Sequence, residues 1–169
     1  DTFLEQSAAQ FQQLFTPTAL VYDDCFYAGI ETVVEGVAHG KIVGGNLSLL
    51  ASAAGTDYMP LTAGNLLLIE DVDEEPYRVD GMLNQLRMAG VLNEVSGVII
   101  ASFSGAEPKK RKKSLTLDEV FAHYFASLQV PVVKGVQIGH CQPHFALPLG
   151  VNAVLDATNC TITIEAGVQ

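Results

Sequence analysis

Tryptophan is absent from the 169 residues, cysteine occurs only three times, and just 17% of positions are charged. The three cysteines, Cys25, Cys141 and Cys160, are odd in number and far apart. That pattern argues against a disulfide framework and a zinc knuckle and suits reduced thiols in a cytosol. Basic residues are scarce, nine against nineteen acidic, and the net charge of −10 argues against nucleic acid or an anionic membrane as partner. No apolar run is long enough to cross a bilayer, and the opening DTFLEQSAAQFQQLF lacks the basic start and apolar centre of a signal peptide. Repeats and low-complexity tracts are also missing. What remains is a chain that is 49% hydrophobic, of a length that suits one ordinary domain over residues 1–169.

Five of the nine basic residues stand together as Lys109–Lys113. The run reads as a solvated loop between a strand and a helix. Nucleic-acid recognition would need interleaved aromatics or a recognition helix, and neither accompanies it.

Apolar spacing predicts a helix over residues 3–15, stopped at Thr16-Pro17. TALVY and ETVVEGVAHGKIVG read as strands. In GGNLSLLASAAG, Asn46 is a natural N-cap and Gly55 supplies the C′ position of a short helix that should be buried on most sides. NLLLIE, ending at Glu70, is a continuous apolar run of strand length, as expected where both faces are covered. Pro76 suits the first turn of a helix with a Val79, Met82, Leu83, Leu86 stripe, ended by Gly90. VSGVIIASFSG is a further buried strand, and Thr116 to Glu119 form a capping box for LDEVFAHYFASL. VPVVKG, FALPLG, NAVLDA and CTITIEA read as short strands. The order predicts an α/β architecture: a small parallel sheet backed by helices, plus a second, more antiparallel layer.

Glu70 stands at the carboxyl end of a buried strand, the edge at which α/β sheets collect ligands and catalytic groups. A carboxylate there needs a partner, because burying it alone is costly. The alternative is an N-cap or salt-bridge role, with Asp71, Asp73, Glu74 and Glu75 capping the helix that opens at Pro76, Arg78 as counter-charge, and the acids other than Glu70 at the surface. His140 lies in QIGHCQPH, a loop between strands, and reads either as a catalytic base or as an ordinary exposed histidine. His140, Cys141 and His144 do not make a convincing zinc site, because Pro143 breaks the helix that their spacing would require. His39 looks ordinary, and His123 should pack inside its helix. A nucleophile is not evident: SFSG at Ser102–Gly105 lacks the leading glycine of a nucleophile elbow, and two acids beside Cys25 would raise its pKa.

The segments GKIVGGNLSLLASAAGTDYMP, LLLIEDVDEEPYRVDGMLNQLRMAGVL, GVIIASFSG and GVQIGHCQPHFALPLG, in this order, resemble the C-terminal domain of the LD-carboxypeptidases, the S66 serine peptidases that include microcin-immunity enzymes. The resemblance runs from about Phe3 to Glu165. It implies a layered β/β/α, swivelling-domain-like fold and assigns Glu70 and His140 to a catalytic Ser-Glu-His triad. The serine would sit on an N-terminal domain with no counterpart here, so this chain alone should be inactive. The implied reaction is release of a terminal D-amino acid, typically D-alanine, from murein tetrapeptide during cytoplasmic peptidoglycan recycling, with no metal or organic cofactor. Implied partners are that N-terminal domain, the murein peptide and a second copy in a homodimer. Alternatives are an immunity-type amidase of the same family and a non-catalytic binding domain. Two positions depart from the family pattern. Gly81 replaces a common arginine, at about 1 kcal/mol of helix stability relative to Ala, and His144 stands where many relatives have asparagine.

Overall fold

A strand that is apolar on both faces must be covered on both, and Leu66–Ile69 accordingly runs through the middle of the molecule, each residue at most 3% exposed. The computed structural model describes residues 29–109 and 113–165, the backbone of 20–22, and positions 8, 10 and 15. Most of the helix predicted over 3–15, Cys25 and the centre of the basic run fall outside the described residues.

In chain order the elements are β1 (Leu20–Tyr22), β2 (Glu31–Val34), β3 (Val37–Asn46), α1 (Leu47–Ala53), β4 (Leu66–Val72), α2 (Pro76–Met88), α3 (Val91–Glu94), β5 (Gly97–Ser104), α4 (Leu117–Phe125), β6 (Val132–Lys134), β7 (Asn152–Asp156) and β8 (Thr161–Ile164). The strands are ordered β1-β8-β7-β3-β4-β5-β6-β2. The long strand β3 belongs to two layers. Its first half, Val37–Lys41, pairs antiparallel with β7, and its second half, Ile42–Asn46, pairs parallel with β4. Close approach at the second half requires glycine: a Cβ on Gly44, whose φ is +120°, would lie 2.2 Å from Leu68 O.

Alternation along the central strands divides the core in two. Leu66, Leu68, Ile99, Ala101 and Val133 meet the inner face of the antiparallel layer at Ala153, Leu155, Ile162 and Ile164. Leu67, Ile69, Val98, Ile100 and Val132 face the helices at Leu47, Leu50, Val79, Leu83, Leu86, Val120 and Phe125. The result is the expected β/β/α layering, with parallel β3-β4-β5-β6 and β2 antiparallel at the edge.

Local signals translate directly. Asn46 caps α1, its side chain accepting from Leu49 N–H, and Gly55 follows with φ +82°. Thr116 and Glu119 form the reciprocal capping box of α4. Three expectations fail, and one element went unannounced. FALPLG forms no strand; Phe145 is buried and its N–H bonds Gln137 O at 3.2 Å, while Pro148 has no N–H for a ladder and a turn follows. Helix α1 is buried on one side only, with Leu49 70% exposed. His123 is exposed, touching just the edge of Tyr124 with ring centroids 4.8 Å apart. The single turn α3 has no periodic stripe to announce it.

Candidate functional site

Period-two alternation sends Glu70 to the same side as Leu66 and Leu68, and Asp71 to the helix side with Leu67 and Ile69. The two neighbouring carboxylates therefore serve different structures. Glu70 is 6% exposed and its Oε2 lies 2.9 Å from Nδ1 of His140, seventy positions later. The pairing of β4 with β5 slips at this point: Ile69 stands opposite Ile100, but Asp71 opposite Phe103. Such a bulge bends the strand that carries the extra residue and re-aims its side chains.

Gly139 explains how the contact is possible. A Cβ there would lie 2.4 Å from Glu70 Oε2 and 2.8 Å from its Cγ, and its φ is +101°. Glycine alone leaves room for the carboxylate and accepts that backbone conformation without strain. The loop is held in line by β5, through Val136 N–H to Ile100 O at 3.4 Å and Ser102 N–H to Ile138 O at 3.1 Å.

His140 itself is open, its side chain 58% exposed. Among the described residues no group bonds its Nε2. The hydrogen bond to Glu70, and secondarily the charge of Glu70, raise its pKa above the ordinary histidine value. With Nδ1–H donated to the carboxylate, the neutral ring presents an unprotonated Nε2. This is the arrangement of an oriented base.

Asp71 corrects the expectation of a surface acid: it is 3% exposed. Its Oδ2 accepts from Ser48 N–H at 2.9 Å, and its Oδ1 from Asn46 Nδ2 at 3.1 Å and Val72 N–H at 2.8 Å. Asn46 Oδ1 in turn accepts from Ser48 Oγ at 2.6 Å. Three donors and the start of α1 compensate the buried charge. The Gly-Gly-Asn end of β3 and the Glu-Asp end of β4 are thus one locked unit, a link that only Asn46 as N-cap foreshadowed. Glu75 is also buried, at 7% exposure, and accepts from Lys109 N–H at 3.3 Å. The expected capping of α2 is not made, since its N-cap Glu75 forms no side-chain cap bond; Glu74 pairs with Arg78, the expected counter-charge, and exposed Asp73 with Lys109 Nζ at 2.7 Å. Such exposed pairs are worth about 0–1 kcal/mol.

The other candidates are not drawn into the site as nucleophiles or ligands. Cys141 Sγ lies 3.4 Å from Pro143 O, and burial above all pushes its thiol pKa up. His144 is exposed. Among the described residues no group of three or more His, Cys, Asp or Glu side chains is placed to hold a metal ion, and no helix is long and apolar enough to cross a membrane.

Residues 39–155 match the family described as the LD-carboxypeptidase C-terminal domain. The chain belongs to that family. It is 44% identical over 161 residues to a probable murein peptide carboxypeptidase of Bacillus subtilis, covering 95% of this chain and 50% of that protein. It is 29% identical over 156 residues to the microcin C7 self-immunity protein MccF of Escherichia coli, covering 90% of this chain and 42% of MccF. The solved muramoyltetrapeptide carboxypeptidase of Oxalobacter formigenes superposes with a TM-score of 0.84 at 26% identity, over 99% of this chain and 57% of that one. The LD-carboxypeptidase domain seen here thus spans about half the length of these relatives.

Proposed function

We propose that this domain supplies the acid and base of a serine LD-carboxypeptidase, Glu70 and His140, to a nucleophilic serine and oxyanion hole on an N-terminal domain outside this chain. The observation that carries the reading is the 2.9 Å bond between Glu70 Oε2 and His140 Nδ1, with Nε2 left open on an exposed ring. A base whose nucleophile comes from another domain has to be exposed in the domain taken alone.

In this scheme Nε2 removes the serine proton as the serine oxygen attacks the carbonyl carbon of the substrate. The imidazolium, stabilised by ionised Glu70, returns that proton to the leaving amine as the C–N bond breaks. Water then gives a proton to Nε2 and attacks the acyl ester, and the serine oxygen departs carrying that proton. Glu70 holds the tautomer and is not itself protonated. The scheme uses no metal or organic cofactor. The names of the relatives support a murein peptide as substrate; in this reading it is the tetrapeptide of cytoplasmic peptidoglycan recycling, from which the terminal D-amino acid, typically D-alanine, leaves.

The test is D-alanine release from murein tetrapeptide by the full-length protein. Glu70→Ala and His140→Ala should each lower kcat by about 10⁴ or more, and the isolated domain should be inert. Near-normal turnover by either variant removes that residue from the mechanism. Cleavage of an aminoacyl sulfamoyl nucleoside in preference to the tetrapeptide moves the reading to an immunity-type amidase.

A further inference from the structure

SFSG, which the scheme above leaves unused, forms the end of β5 beside the His140 loop. After β6 the chain continues alongside β5 without forming a strand. Ile100 O takes Val136 N–H, and Ser102 N–H reaches Ile138 O. Two residues further along each segment, position 104 comes beside position 140, where a continued ladder would place another rung. That rung exists, but a side chain makes it: Ser104 Oγ donates to the main-chain carbonyl of His140.

The direction of the remaining bond follows. A carbonyl only accepts, so the single hydroxyl proton of Ser104 is committed. Ser102 Oγ, 2.9 Å from Ser104 Oγ, must donate to it. Two hydroxyls therefore form a directed chain ending on the main chain of the histidine, and each bond in such a chain polarises the next. The bulge opposite Glu70 sits at the root of this arrangement, because the extra β5 residue lies between Ile100 and Phe103, just ahead of Ser104.

Among the described residues few other contacts restrain residue 140, the Cys141 thiol beside the Ser102 hydroxyl being one. The preceding Gly139 has a φ of +101° and no side chain to wedge. Cys141 N–H bonds back only to Gly139 O, at 3.0 Å, which closes a local turn without tying it to the sheet. The imidazole is mostly exposed. Its grip on Glu70 depends on where the main chain of residue 140 is held.

We propose that Ser104, oriented by Ser102, is a positioning residue that fixes the His140 main chain so that Nδ1 stays on the Glu70 carboxylate. Its catalytic consequence rests on the reading of His140 as the base; its structural consequence does not.

The experiment uses the full-length protein and the variants S104A, S104T, S102A and H140A. S104A should lower kcat about tenfold with KM unchanged, as expected for a misplaced catalytic group. The acid limb of kcat/KM should move to lower pH, because an imidazole that has lost the Glu70 bond gives up its proton more readily. S104T keeps the donor and should restore both, while S102A should move them in the same direction by less. A wild-type rate and limb in S104A overturns the proposal, as does S104T being as slow as S104A. NMR titration of the imidazole, assigned by its loss in H140A, separates this proposal from the functional one. Its pKa should fall in S104A whether or not His140 is the base, and an unchanged value overturns the positioning role. A fully active H140A would instead overturn the base assignment alone.

Discussion

Replacing Gly139 with alanine would set a methyl group 2.4 Å from Glu70 Oε2, 2.8 Å from its Cγ and 2.9 Å from its Cδ. Carbon atoms in contact sit at about 3.5 Å or more, so something must retreat by about 0.7 Å. Glu70 has little freedom, being 6% exposed on a strand covered on both faces, and the loop yields instead. Alanine at a φ of +101° also stores backbone strain of about 1–3 kcal/mol. A retreat of that size takes the 2.9 Å contact of Glu70 with His140 to about 3.6 Å, beyond hydrogen-bond range. The expected result is a folded protein with a lower thermal midpoint and kcat reduced about 10²-fold at unchanged KM, the usual consequence of a misplacement approaching 1 Å. Circular-dichroism melting and D-alanine release by the full-length protein measure the two effects. A Gly139→Ala variant that folds and turns over at the wild-type rate would refute the claim that this glycine exists to admit the carboxylate.

Three further outcomes follow from the same geometry. Glu70→Gln keeps an acceptor for Nδ1–H but removes the charge; since the Glu70 bond and charge raise the His140 pKa, the acid limb of kcat/KM should shift to lower pH, and a limb that stays put shows that another group titrates there. The sign for stability is opposite in sense: a raised imidazole pKa stabilises the fold below the unfolded value of about 6.5 and the gain is lost as pH rises through the folded value, so denaturant titrations of wild type should weaken across that window and those of Glu70→Gln should not. Asp71→Ala strips Ser48 N–H, Asn46 Nδ2 and Val72 N–H of their acceptor, and each buried orphan costs about 1–3 kcal/mol. A midpoint in chemical denaturation unchanged by Asp71→Ala would mean that the start of α1 is not held from β4.

Much of the fold was legible because its signals are short-range. Asn46 capping Leu49, Thr116 with Glu119, and Pro76 opening α2 are contacts over three residues or fewer, set by backbone geometry that any context preserves. FALPLG misled because a brief apolar stretch resembles a strand wherever it is buried, and Phe145 is buried from a loop. Asp71 misled for a different reason. Five acids within six positions look solvated, and only the facing of β4 against α1 reveals that one of them anchors a helix.

The candidate site divides along the same line. Residue types and order placed a carboxylate at the end of an apolar strand and an imidazole after glycine, and the resemblance of four segments to one family joined the two by name. Periodicity, capping and an apolar run long enough for a doubly covered strand are properties of neighbouring residues, so the chain alone determined most of its elements and its layers. The 2.9 Å meeting of Glu70 with His140, the space left by Gly139, and the serine that takes the last rung of β5 depend on strands packed from distant segments. Those were decided only by the tertiary structure, because contact across seventy positions is set by register and close packing, which no local propensity encodes.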